Sequence, residues 1–141
     1  MYYVNREQIS VRLAVIPQLA EAMDKLVSSW DGGLLQGLAQ ERALHLAVET
    51  VTDVGSYLID GFIMRDASSY EDIIEIIAGE QVFPEALKPD LMELVRLRRP
   101  LVQDYYEWQR SELHPLTVKL PACLIAFKEA VLSYLQKELD V

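Results

Sequence analysis

Three arginines, Arg96, Arg98 and Arg99, stand within residues 94–103, a stretch that holds no acid in a chain of formal net charge −9. The planar guanidinium fork suits carboxylate and phosphate alike. Arg98 falls between Leu94 and Leu101 on one helical stripe, and Tyr105, seven residues on, drifts only ~20° from it. An unpaired charge buried there would cost several kcal/mol. Arg98 therefore has a carboxylate partner, a head that snorkels to water, or an anion to bind. The two histidines are His45 and His114. His45 shares a face with Arg42, Glu49, Thr52 and Ser56 at three–four spacing; it reads as a hydrogen-bonded partner of Glu49 or as a proton-transfer group. His114, next to Pro115, reads as an exposed helix-entry residue.

Most other chemistries are excluded. No phosphate loop of the form G-x-x-x-x-G-K-S/T, no G-x-G-x-x-G, no H-E-x-x-H and no G-x-S-x-G is present. One cysteine, Cys123, and two histidines cannot build a thiolate-rich or histidine-rich metal centre, so neither metal nor cofactor is expected. The pI of about 4.6 argues against broad capture of nucleic acid but leaves room for a local basic site. Residues 1–6 lack the basic-then-apolar pattern of a signal peptide. The apolar stretches 13–20 and 121–127 are far short of the ~20 residues a membrane span needs. A cytoplasmic protein without membrane contact is expected.

The elements that must position these residues are helices. Hydrophobic residues make up 51% of the 141-residue chain, which excludes disorder, and strand patterning is nearly absent. Asn5, with Gln8 three residues on, reads as an N-cap. Ile9, Leu13, Ile16, Ala20, Met23, Val27 and Trp30 then form one stripe, bent at Pro17 and ended by Asp31-Gly32-Gly33. A second helix is predicted over about 34–63, with Leu44, Val48, Val51, Gly55, Leu58 and Phe62 inward; Gly55 would admit a close helix neighbour. Ser69 caps a short helix with Tyr70, Ile73, Ile74 and Ile77 inward, ended by Gly79. A fourth segment, about 89–110, carries Leu91, Leu94, Arg98, Leu101, Tyr105 and Trp108 on its stripe. The last, after His114-Pro115, turns Leu116, Leu120, Leu124, Phe127, Val131 and Tyr134 inward, with a bend at Pro121. The prediction is one all-α domain over 1–141, an up-and-down bundle of four long helices plus one or two short ones.

Arg98-Arg99-Pro100-Leu101-Val102-Gln103-Asp104-Tyr105 resembles the Arg-Asn-x-Leu-Val-His-x-Tyr signature of HepT-like proteins, members of the HEPN superfamily of helical bundles. The wider pattern agrees: Glu41-Arg42 in the long second helix, Ser68 to Asp72 opening the short one, and Leu120-Pro121 in the closing one. The resemblance implies a metal-independent ribonuclease toxin, working as a homodimer and paired with a minimal nucleotidyltransferase antitoxin. By position, Arg98 would hold the scissile phosphate of RNA, Gln103 occupies the histidine position, and Tyr105 would be the tyrosine that the antitoxin modifies with AMP. Arg99 stands where the signature has Asn, and His45 is a second supporting candidate. A carboxamide at 103 can bind phosphate or base but cannot take a proton as imidazole does.

Two other functions stay open on these residues. One is a catalytically inactive HEPN dimer that binds a nucleotidyltransferase; the other is a helical pocket that binds a phosphate or nucleotide at Arg98. A symmetric homodimer is expected, because five or six amphipathic segments carry more apolar stripe than one small bundle hides. Tyr105, Tyr106 and Trp108 suit its interface.

Overall fold

The computed structural model describes residues 2–139. Its helices are α1 (Arg6–Leu13), α2 (Ile16–Ser29), α3 (Leu34–Gly61), α4 (Tyr70–Gly79), α5 (Lys88–Arg96), α6 (Arg98–Val102) and α7 (Pro115–Leu139), with 3-10 turns at Glu85–Leu87 and Tyr105–Glu107. No strand occurs among the described residues. The architecture is an all-helical up-and-down bundle. At its centre lies α3, which packs against α1, α2, α4, α5, α6 and α7. The predicted stripe Leu44, Val48, Val51 and Leu58 is fully buried, and Ala43, Ala47, Val54 and Ile59 widen it. A helix with neighbours on several sides needs an apolar arc broader than one stripe.

The first predicted helix is two. Val15 N–H bonds the Arg12 carbonyl in a tightened turn at the end of α1, and Pro17, which has no N–H to offer Leu13, sits in the first turn of α2. The interruption shifts the helix phase, so Leu19, Ala20, Met23 and Leu26 are buried where Val27 was expected. Asn5 does cap α1, its Oδ1 accepting from Gln8 N–H at 3.2 Å. Gly79 does not end α4 with a left-handed turn. That conformation falls on Gln81 (φ 60°), and on Ile63 (φ 54°) after α3; in both places a six-residue backbone bond closes the helix, Val82 N–H to Ile77 O and Met64 N–H to Ile59 O.

The predicted helix over 89–110 is also corrected. It stops at Arg96, restarts for five residues and ends at Val102. Pro100 lies in the first turn of α6, where its missing N–H is harmless. At the far end, Gln103 and Asp104 both donate to the Arg99 carbonyl, at 2.8 and 3.0 Å, and the chain leaves the helical path. Tyr105 is therefore not on the inward stripe. By contrast α7 runs unbroken through Pro121. No helix among the described residues is long and apolar enough to cross a membrane.

Gly55 earns its position as expected: a Cβ there would collide with the Ile73 methyl of α4. Gly55→Ala should destabilise the fold by about 1–3 kcal/mol, the usual cost of overpacking. Urea unfolding will show this as a lower midpoint at unchanged slope.

Candidate functional site

The site is built from the start of α4. Ser69 Oγ accepts from Asp72 N–H at 3.0 Å, while Asp72 Oδ2 accepts from Ser68 N–H at 2.9 Å. Arg65 grips both Asp72 oxygens at 2.7 Å. The Arg65 guanidinium, helped by the Ser68 hydrogen bonds, holds the Asp72 carboxyl well below the usual carboxylate range. These contacts lock the first turn of α4, and with it Tyr70. Tyr70 does not turn inward as predicted. It is 42% exposed, and the Arg98 guanidinium lies over its ring, 4.2 Å from the centroid.

Arg98 is half-buried, between core and surface, with 27% of its side chain exposed. Its Nε is buried, 3.6 Å from Glu49 Oε1, and makes no hydrogen bond. The same Glu49 oxygen lies 3.4 Å from His45 Nε2, and Arg42 Nη1 is 3.3 Å from His45 Nδ1. Arginine only donates, so Nδ1 accepts from Arg42 and Nε2 carries the ring proton toward Glu49. α3 and α6 thus bring Arg98, Glu49, His45 and Arg42 into one chain of contacts, with Tyr70 of α4 covering the guanidinium. His45 and Glu49 pair as the sequence suggested. Tyr70 as the partner of Arg98 was missed, because its spacing matched the apolar stripe of α4. Thr52, read as part of the polar face, is buried and bonds the Val48 carbonyl at 2.8 Å.

The remaining candidates fall on the segment after α6. Gln103 is exposed at the helix end, and its side chain makes no hydrogen bond among the described residues. Arg99 is exposed, 3.5 Å from Asp104. Tyr105 is 56% exposed, edge-on to Tyr106. Trp108 is not a surface anchor: it is half-buried and stacked on His114, with ring centroids 5.7 Å apart. Arg96 lies outside the cluster, in an exposed pair with Glu71.

This irregular segment is fastened to α3. Gln40, fully buried, donates to the Glu112 carbonyl at 3.0 Å; its Oε1 accepts from His114 N–H and from Thr117 Oγ1, both at 2.8 Å. Arg110 Nε meets Glu41 at 2.6 Å, and Arg110 Nη2 holds the Tyr105 carbonyl at 3.1 Å. A Cβ on Gly37 would strike the Arg110 carbonyl, and Trp30 Nε1 bonds the Ser111 carbonyl at 3.2 Å. His114 is no exposed entry residue. It is half-buried, and its Nδ1 caps α7 by accepting from Leu116 N–H at 3.0 Å. No group of three or more His, Cys, Asp or Glu among the described residues is arranged to hold a metal ion. Burial pushes the Cys123 thiol up to about 12, which leaves it unreactive.

The arrangement is that of a helical bundle with a half-buried arginine beside a histidine–carboxylate pair. The ribonuclease HepT-like family profile matches residues 14–124. A protein of Bacillus subtilis (strain 168) described as "Putative RNase YutE" is 35% identical over 139 residues, covering 99% of this chain and 95% of the relative. A solved structure, "Structure of Cytosolic Protein of Unknown Function YutE from Bacillus subtilis", superposes with a TM-score of 0.90 at 35% identity, over 100% of this chain and 97% of that one. The chain belongs to the ribonuclease HepT-like family.

Burial lowers the pKa of His114, outweighing a smaller opposing pull from Glu93. As pH falls, the unfolded chain takes up this proton first, near its usual ~6.5. The His114 contribution to stability is therefore complete above about pH 6.5 and is lost on acidification below it. His114→Asn, which keeps an acceptor at the cap, should flatten stability against pH in that window, as chemical unfolding between pH 5 and 8 will measure. Gln40→Met should cost about 2 kcal/mol or more by stranding buried hydrogen-bonding groups. It should also speed amide exchange at His114.

Proposed function

We propose that this chain is a HepT-like ribonuclease toxin, one HEPN-like domain over 1–141, that acts in the cytoplasm as a homodimer and cuts RNA without a metal ion. The observation that carries this reading is the Arg98 guanidinium. It is held by Tyr70 and Glu49 yet makes no hydrogen bond among the described residues, so the four N–H donors of Nη1 and Nη2 are available to a phosphate while the buried Nε stays against Glu49.

In such a cleavage the RNA 2′-hydroxyl attacks the adjacent phosphorus. Its proton passes to a base, the bond to the 5′-oxygen breaks, and that oxygen receives a proton. Arg98 would offset the charge that builds on the phosphoryl oxygens. Gln103 would orient the phosphate or a base by hydrogen bonding. The proton acceptor would be His45, with Nε2–H directed at Glu49 and Nδ1 freed when the exposed Arg42 turns to substrate. Arg99 would add positive charge at the rim.

The dimer reading is supported by apolar groups left open: Leu35 (83% exposed) and Leu38 in the first turns of α3, and Tyr106 (69%) on the segment fastened to it. A minimal nucleotidyltransferase is proposed as the antitoxin, silencing the toxin by adding AMP to Tyr105, whose exposure fits an acceptor for another enzyme. One observation favours the alternative, an inactive dimer that serves as a nucleotidyltransferase-binding or nucleotide-binding module. The histidine position of the signature holds Gln103, which has no titrating proton.

Arg98→Ala should abolish RNA cleavage by the purified protein, whereas Arg96→Ala, which breaks only an exposed pair with Glu71, should weaken it mildly. Efficient cleavage surviving Arg98→Ala rules the reading out. Gln103→His should raise the rate, within the ~10²–10⁴-fold range of positioned acid–base catalysis, and the gain should itself change with pH between about 5 and 8. Light scattering at micromolar concentration should report a dimer of the 16.1 kDa chain; a clean monomer removes the shared-cleft mechanism.

A further inference from the structure

On the far side of α6 from Arg98 the chain encloses a second feature. Successive helix residues turn by ~100°, so Pro100 points roughly opposite to Arg98. Pro100 there helps line a concavity of about 360 Å³, together with Glu107, Trp108, Glu112, His114 and Pro115. That volume is in the range of about 300–1,000 Å³ usual for small-molecule sites. Trp108 and His114 lie within 16° of parallel and form an aromatic wall.

The polar groups on this wall are unspent. Trp108 Nε1 has no hydrogen-bond partner but is buried out of a ligand's reach. His114 Nδ1 accepts the Leu116 N–H, so the neutral ring carries its proton on Nε2, which donates to nothing among the described residues. The lowered His114 pKa agrees with a neutral ring. Asp104 is occupied by Arg99 at 3.5 Å. The Glu107 and Glu112 carboxylates make no ion pair among the described residues. The concavity thus offers an aromatic face, the unused His114 N–H and carboxylate acceptors.

These features select a base. A carboxylate presents two acceptors side by side and no donor. Of the four RNA bases, only guanine presents two adjacent donors on one edge, N1–H and N2–H. Adenine and cytosine alternate donor with acceptor, and uracil has a single N–H between two carbonyls. The remaining O6 of guanine needs a donor, which His114 Nε2–H can supply. Carboxylates repel phosphate, so the base enters and its phosphate stays outside, toward Arg99.

We propose that this concavity is a guanine-binding slot, with the base against the Trp108–His114 wall and its N1–H and N2–H read by the carboxylate of Glu107 or Glu112. The slot goes beyond the ribonuclease reading and does not depend on cleavage; its guanine comes from RNA or from a free guanine nucleotide.

Calorimetric titration of the intact protein with GMP, IMP, AMP and an RNA hexamer containing one guanine tests this. GMP should bind about 10-fold or more tighter than IMP, which lacks the N2 amine, and AMP should give no binding. The double change Glu107→Gln and Glu112→Gln, at two exposed positions, should erase that preference, because a carboxamide replaces one acceptor by a donor. A hexamer tighter than GMP identifies RNA as the source; equal affinities identify the free nucleotide. Equal binding of GMP and AMP, a preference that survives the double change, or no binding of either GMP or the hexamer overturns the proposal. The readout is binding alone, so a protein that fails to cleave RNA leaves the result intact.

Discussion

The Gln40 side chain has no solvent exposure, and its carboxamide is spent on one purpose: it bonds the Glu112 carbonyl, the His114 N–H and the Thr117 hydroxyl. Residues 103–114 have little regular structure to satisfy their own backbone, and such groups cannot be buried unpaired. α3 supplies the missing partners. Glu41 holds Arg110, Gly37 lets the Arg110 carbonyl approach, and Trp30 reaches Ser111 from the end of α2. With the segment fixed at this end and by α6 at the other, the positions of Gln103, Tyr105 and Trp108 follow.

A second constraint is the charge on Arg98. Its stem leaves an apolar stripe between Leu94 and Leu101, both buried, so the head emerges where water is scarce. Two partners moderate the cost. The Tyr70 ring offers its face, and the Glu49 carboxylate stands 3.6 Å from Nε. Neither uses up the hydrogen-bonding capacity of the guanidinium, which a bidentate carboxylate would have done. Arg65 shows that alternative within the same chain, committed to both oxygens of Asp72 for a structural end.

The two faces of α6 are electrostatically opposite. One carries Arg98 and Arg42 with the Glu49–His45 pair between them; the other looks onto Glu107 and Glu112 across the Trp108–His114 wall. On the ribonuclease reading proposed above, such separation in a chain of net charge −9 would give a polyanion a direction, toward Arg98 and away from the carboxylates. A base, uncharged and flat, is not subject to the same repulsion.

Much of this was legible in the sequence. Apolar residues at three–four spacing gave the helical class, the α3 core and the close approach at Gly55, since burying one face of a helix requires that period. The octapeptide 98–105 carried the family, and the spacing of His45 and Glu49 their contact. Where α2 resumes its phase, where the helix over 89–110 stops, and which way Tyr70, Tyr105 and His114 face were decided only by the folded chain. Periodicity records which residues share a face while a helix continues, but not where competing bonds end it. Here Val15 and Leu97 close tight turns ahead of Pro17 and Pro100, and the Arg99 carbonyl is taken by two donors at once. Gln40 is the plainest case: nothing in its type or spacing singles it out, and its three partners lie more than 70 residues away.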